Sequence, residues 1–433
     1  MDLFANHVVA KARVYGEALI AASCDSLLIS AGDLIYPFSD DLDYVFRCSS
    51  YFAEWLPVQD LPGSYLLFSP ARRPQLFLPI IDDYWDSPPA PVPEEVRAEF
   101  DFAWYRDLSE VSAALQNVTN LAWLGPVNSV LNGALRVSEN PTALLDHVNY
   151  HRAFKTTYEI RCIEEATRFA HPGHQAAEHA FHDGGSELDI HLAYLQAASL
   201  ADEELPYRSI IALNEHGSTL HHMVRAKETP SNHLSFLIDA GAQFGGYACD
   251  ISRTYVSQDA GHELFTELRD AVQKAQRDLI GSIRVGSNFG DLHVEAHRKI
   301  AGIITDHELV TCSLDEALSS GVTSVFFPHG LGHLLGVQVH EPGGHLAASD
   351  GTVSPPPENH PTLRLTRDLE PGMVFTIEPG IYFIDSLLEA FPTQAYLNKR
   401  LIDELKPYGG IRIEDNILLG TSGVRNLTAR VFG

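Results

Sequence analysis

Two apolar stretches, residues 234–240 (LSFLIDA) and 247–255 (YACDISRTY), read as β-strands, yet each holds an aspartate of the kind strand interiors usually lack. That placement constrains the fold more than any other feature of the chain. Gly245 and Gly246 between the runs predict a hairpin. A turn centred between Phe244 and Gly245 sets Asp239 and Asp250 directly opposite one another on one face, with Cβ atoms about 4.5–5.5 Å apart. Facing carboxylates repel, so a bridging cation is the physical reason to pair them; a solvated hairpin face is the alternative. Cys249 then points to the other strand face and is not a ligand.

Three later segments offer further ligands. In 328–344 (PHGLGHLLGVQVHEPGG) histidines recur as His329, His333 and His340. His329 and His333 have the i, i+4 spacing of a helical metal site, but Gly330, Gly332 and Gly336 disfavour a helix and predict a glycine-bent loop and strand. His340-Glu341 opens like a zinc-protease signature, but Pro342 blocks the helix that motif needs and the next histidine is displaced to His345, so that reading is rejected. Short apolar strands follow at 373–378 (MVFTIE), stopped by Pro379-Gly380, and at 411–414 (IRIE). Alternation places Arg412 and Glu414 on one face and Ile411 and Ile413 on the other, so Arg412 stands as a cation beside a ligand. Asp239, Asp250, His333, Glu378 and Glu414 make four carboxylates and one imidazole. Two divalent cations carry the positive charge that such a set neutralises; crowded without metal, the carboxylates repel and shift one another's protonation.

The order D-x-G…GY-x-x-D, HGLGH-x-x-G-x-x-x-HE, TIEPGIY and GIRIED, on 239–250, 329–341, 376–382 and 410–415, resembles the pita-bread metallopeptidases, and within them the bacterial Xaa-Pro dipeptidases, or prolidases. PYRSIIALNEHGSTLH (206–221), LRLTRDLEPGMVFTIEPGIYF (363–383) and RNLT (425–428) are similar too, and DDLDYVFR and WLPV more loosely, so the resemblance covers nearly the whole chain. It implies that Asp239 and Asp250 bind one or both metals, that Asp250 and Glu414 bridge them, and that His333 and Glu378 complete the coordination of one ion. It also implies substrate contacts for His221 and His340, a hydrogen bond from Tyr207 near a metal carboxylate, and a grip by Arg364 on the free carboxylate of the substrate. Family members often have tyrosine where His222 follows His221, which bears on local packing and not on the chemistry. The fold implied is α/β (α+β). A smaller N-terminal α/β domain over 1–155 precedes a pita-bread catalytic domain over 156–433, with a curved, mainly antiparallel sheet covered by helices. The first domain would assist formation of a homodimer, and Asp40 and Asp41 would help close the partner's pocket. An acidic rim attracts cationic peptide amines; a solvated acidic turn is the alternative.

The implied reaction is hydrolysis of an Xaa-Pro dipeptide with release of proline. A hydroxide bridging two cations is a nucleophile near neutral pH, and a metal polarises the scissile carbonyl. The leaving nitrogen of a tertiary amide must be protonated, and Glu378 is the candidate shuttle. His340 and His221 are placed to stabilise the oxyanion or the product end; Arg412 and Tyr207 complete the catalytic set. A site built around a buried arginine, Arg364, rejects substrates that leave it unpaired, which selects dipeptides. Oxygen-rich ligation favours manganese over zinc by ligand hardness. Three other readings share parts of this chemistry. An aminopeptidase P uses the same ligands on longer peptides, and Arg364 argues against it. Organophosphorus ester hydrolysis at the same site would be incidental. Metal-free pita-bread binding modules have lost ligands that this chain retains. There is no GxSxG elbow, Walker loop or GxGxxG after a strand.

With 30 basic and 57 acidic residues the chain has a formal charge of −27, which opposes binding to nucleic acid or anionic lipid. Five cysteines without CxxC spacing read as free thiols in a reducing compartment. The opening MDLFANHVVAKARVYGEALIAAS reads as an amphipathic helix and not a signal peptide, and no apolar run reaches the roughly 20 residues that span a bilayer. A cytoplasmic location is expected. Helical patterning is expected near 3–22, over 128–148, up to about 201, and over 260–283 and 290–305. Strand-like runs fall at 64–70, 74–80 and 121–127, with an acidic proline-rich loop at 82–95 and a connector at 349–362.

Overall fold

The computed structural model describes residues 3–82, 84–85 and 91–433. It divides into two compact units, one of Met1–Cys162, Phe244–Tyr247 and Leu346–Val353, the other of Ile163–Gln243, Ala248–His345 and Ser354–Gly433. The class is mixed α/β.

In the first unit a six-stranded mixed sheet is built from β1 (Ser26–Ser30), β2 (Tyr65–Phe68), β3 (Gln75–Pro79), β4 (Asp101–Tyr105), β5 (Leu121–Leu124) and β6 (Val137–Glu139), in the order β4-β3-β2-β1-β5-β6. Its central strand is buried along its whole length, as a strand covered on both faces must be. Leu27 and Ile29 enter one core with Phe4, Val8, Tyr15 and Leu19 of helix Leu3–Ala21. Leu28, one residue out of phase, enters the opposite core with Val111 and Trp123. Each such large apolar side chain contributes about 1.5–3 kcal/mol on full burial. The same helix also buries Lys11, whose Nζ lies 2.7 Å from Glu54 and 3.0 Å from Glu159, and Tyr15, whose hydroxyl donates to Glu54.

The single helix expected over 128–148 is instead helix Ser129–Ala134, strand β6 and helix Thr142–His151. Asn128 caps the first by accepting from Val130 and Leu131 N–H. The first helix ends at Ala134, where Leu135 is already extended, and Asn140, with a positive φ of 43°, and Pro141 precede the second. The stretch read at 82–95 lies partly outside the described residues; its end forms the short helix Glu94–Arg97.

The second unit carries β7 (Ile210–Leu213), β8 (Ser235–Asp239), β11 (Ser252–Val256), β12 (Val374–Ile377), β13 (Gly380–Tyr382), β14 (Gly410–Arg412), β15 (Asp415–Gly420) and β16 (Gly423–Asn426), while β9 (Gln243–Phe244) and β10 (Tyr247–Ala248) continue the hairpin beyond β8. They form short ladders ordered β11-β8-β7, β12-β15-β16 and β13-β14, each antiparallel. Ile211, Leu213, Phe236 and Ile238 pack with Phe181, Ile190 and Tyr194 of helices Thr157–His182 and Glu187–Ala198. Leu237, of opposite parity, packs with Tyr382 instead, and Asp239 shares that parity. The strand therefore sends Phe236 and Ile238 to the helices and Leu237 and Asp239 to the other side.

The turn centre lies one residue later than expected, so the pairing shifts by two. Asp239 pairs with Ser252, not with Asp250. Gly245 and Gly246 both have positive φ, 56° and 84°, which centres a two-residue turn between them. Asp239 and Asp250 are thus diagonal neighbours on one face, a relation with a spacing of roughly 7–8 Å. Among the described residues no helix is long and apolar enough to cross a membrane.

Candidate metal centre

The loop 328–344 is held open by close backbone approach. A Cβ on Gly332 would lie 2.0 Å from the Thr376 carbonyl oxygen, so only glycine lets the loop run beside β12. His333 N–H then donates to Thr376 Oγ1 at 3.1 Å, and Thr376 N–H to the His333 carbonyl at 2.9 Å. The strand expected in this loop reduces to one bridge, Leu334 with Phe375. Nδ1 of His333 lies 3.1 Å from the Leu334 carbonyl; a proton there leaves Nε2 with a lone pair for a cation. Glu378 follows β12, its N–H donating to the Leu331 carbonyl at 2.8 Å.

His333 Nε2 is 3.4 Å from Asp250 Oδ2, 3.7 Å from Glu378 Oε1 and 4.0 Å from Glu414 Oε1. Tyr207 donates to Asp250 Oδ1 at 2.6 Å. Arg412 spans the remainder: Nη2 donates to Asp239 Oδ2 at 2.8 Å, Nε to Ser252 Oγ at 3.0 Å and Nη1 to the Tyr382 hydroxyl at 2.9 Å. Ser252 in turn donates to Glu414 Oε2 at 2.8 Å. Arg412 is the cation beside a ligand that strand alternation predicts, with Asp239 as its direct partner.

Four carboxylates meet here with one guanidinium between them. Burial pushes Glu378 up to about 7 and, despite Arg412, Asp239 up to about 6. Burial, and then Asp250 and Glu378, drive Glu414 well above the ordinary range. Asp250 goes the other way: burial works against it, but hydrogen bonds with His333 and Tyr207 hold it below its usual value. Asp239 Oδ1 and Glu414 Oε1 are buried with no hydrogen-bond partner. Orphaned carboxylate oxygens beside an imidazole nitrogen fit hard or intermediate divalent cations. Asp239, Asp250, His333, Glu378 and Glu414 are the residues that would hold them.

The centre opens into a cavity of about 750 Å³, also lined by Tyr207, His221, His340 and Arg364. That is the size of a small-molecule site. The His340 ring stands 4.3 Å from that of His333, and burial lowers its pKa to about 4. His221 is exposed on the wall. Arg364 is exposed as well, not buried as the sequence reading supposed, because its neighbours Leu363 and Leu365 take the inward positions. Its charge is therefore partly solvated in the absence of substrate. Asp40 and Asp41 stand on an exposed turn in the first unit, where Asp40 Oδ1 accepts from Asp41 N–H at 2.8 Å. His222, the departure from the family pattern, lies 3.0 Å from buried Glu187 and stacks on His216.

Ser252, Tyr382 and Asn416 escaped the sequence reading. Asn416 accepts from Asp250 N–H at 3.2 Å, and the Tyr382 hydroxyl lies 2.8 Å from His329 Nε2. Strand parity could have found Ser252, two residues after Asp250. Nothing local marks Asn416.

Residues 161–421 match the family model described as metallopeptidase family M24, and residues 2–150 that described as Xaa-Pro dipeptidase, N-terminal domain. An Xaa-Pro dipeptidase of Edwardsiella ictaluri is 42% identical over 93% of this chain and 92% of its own length. One from Stenotrophomonas maltophilia is 40% identical over 99% and 97%. Among solved structures, an Escherichia coli aminopeptidase P variant in complex with substrate is similar with a TM-score of 0.75 and 20% identity, covering 99% of this chain and 95% of that one. At that identity the likeness speaks for a shared fold.

Proposed function

The chain belongs to metallopeptidase family M24, and we propose that it hydrolyses Xaa-Pro dipeptides at the four-carboxylate centre, releasing free proline. The observation that carries the dipeptide reading is Arg364, a guanidinium on the cavity wall with no ion pair to any described carboxylate. A substrate whose proline ends in a free carboxylate supplies the missing partner.

Asp239, Asp250, His333, Glu378 and Glu414 would hold two divalent cations, which when bound would supply the charge that polarises a carbonyl and acidifies water. Manganese is the ion we assign, from the oxygen-rich donor set. Glu378, pushed towards neutrality and largely buried at the cavity wall, takes a proton from the attacking water and passes it to the departing proline nitrogen. His340 and His221 stand on the wall as donors for the developing oxyanion or the substrate termini. Tyr207 fixes the orientation of Asp250, and Arg412 that of Asp239. The reading further includes a homodimer formed through the first unit, with Asp41 at the rim of the partner's pocket, and a cytoplasmic location, which the free state of all five cysteines supports.

The test compares Ala-Pro with Ala-Pro-Ala after chelation and again after manganese is restored. Metal-dependent cleavage of the dipeptide alone is expected. Comparable cleavage of the tripeptide would move the chain to aminopeptidase P.

A further inference from the structure

Helix Phe289–Asp306 carries His293 and His297 at i, i+4, on one face and both buried. His360, from the proline-rich connector, meets them: its ring centroid is 4.5 Å from that of His293 and 4.3 Å from that of His297. One nitrogen from each ring lies within 4.8 Å of the other two. His293 Nδ1 and His297 Nε2 are buried with no hydrogen-bond partner, and the far nitrogen of His297, Nδ1, lies 3.0 Å from Thr323 Oγ1.

We infer that His293, His297 and His360 form a second metal site, distinct from the carboxylate centre, that takes a borderline divalent ion of the zinc class. A satisfied core histidine has both nitrogens engaged; here one nitrogen on each of two rings from adjacent helical turns is left over, and the two rings meet a third. Metal-binding histidines commonly have the nitrogen opposite the ion held by a polar group, and Thr323 does this for His297. Phe327 packs beside the rings of His297 and His293, 5.1 and 5.8 Å away, giving the site an apolar wall. Burial lowers His293 to about 2 and His297 to about 3, so the rings are neutral and their lone pairs available at any ordinary pH. Three imidazoles suit zinc, nickel or copper, whereas carboxylates suit manganese, so the two sites select different metals. Zinc–nitrogen bonds of about 2.0–2.1 Å set ligand nitrogens about 3.3 Å apart, so these rings, whose nitrogens lie within 4.8 Å of one another, would turn to aim them at one ion, leaving a fourth position for water. The ion would tie the connector to the helix two residues before Thr362 and four before Arg364, both on the cavity wall.

The site is independent of which peptide the enzyme cleaves, and its test reads metal content. The full chain, loaded with manganese, is equilibrated with excess Zn2+, desalted and counted beside His360→Ala and His297→Gln, with circular dichroism to verify folding. Wild type is expected to retain one more zinc per chain than either variant, whether or not zinc also displaces manganese at the carboxylates. Equal zinc in all three folded proteins would overturn the assignment and leave the cluster as packed neutral histidines. His360 lies on an irregular segment, so that variant preserves the test if the helix does not tolerate His297→Gln.

Discussion

Two groups of buried carboxylates among the described residues behave oppositely. In the first unit, Glu54 and Glu159 would be raised by burial but are held low by Lys11, Glu159 down to about 2. In the second, Glu378 rises to about 7 and Asp239 to about 6, although the Arg412 guanidinium pairs with Asp239. Where the chain supplies its own cations, buried acids are part of the fold. Where it does not, they form a place for cations from outside.

The sharpest contrast is in activity. Glu378→Gln is expected to lower kcat/KM for Ala-Pro by about 10²–10⁴-fold, the usual contribution of a positioned general acid and base. Measured on chelated protein, Glu414→Gln should raise the unfolding midpoint, because it removes a repelled charge. Lys11→Met should do the reverse, lowering stability by about 3–5 kcal/mol in urea, since it leaves two buried carboxylates without their cation. If both variants shifted stability in the same direction, the contrast would fail.

Arg364→Ala tests a cavity cation that has no ion pair to a described carboxylate. It should raise KM for the dipeptide about tenfold with less change in kcat, a charge-assisted hydrogen bond discounted for solvent exposure. The pH dependence then separates the clusters. Glu159 is depressed, so its stabilisation is present above its ordinary value of 4.5 and lost as pH falls towards about 2. Glu378 is raised, so without metal its contribution is present below 4.5 and lost as pH rises through about 7. Chelated protein should therefore lose stability between pH 5 and 8 relative to metal-loaded protein, as read by thermal melting. The smallest effect is expected from Asp41→Ala, about a two- to threefold rise in KM at low salt; an unchanged KM would make that turn a solvated surface.

The residues of the candidate centre were legible because each sits in a short pattern whose chemistry is local: an acid inside an apolar strand, histidines among glycines, a glutamate ending a strand at Pro379-Gly380. The hairpin was legible as a hairpin, but its register was not. Moving the turn by one residue cost the sequence nothing visible, and the positive φ of both glycines decided it. The helix expected over 128–148 failed for a related reason, since apolar periodicity carried across the break between Ala134 and Thr142. His293 and His297 passed as ordinary helix residues because His360 is 63 positions beyond His297.

By itself the sequence determined which residues could be ligands and on which strand face each lies, because side-chain alternation is a property of the local backbone. Only the tertiary structure decided which oxygens remain without partners, that Arg364 is open to solvent, and that three distant histidines share one space. Partnership and burial depend on what the rest of the chain brings near, and no local pattern records that.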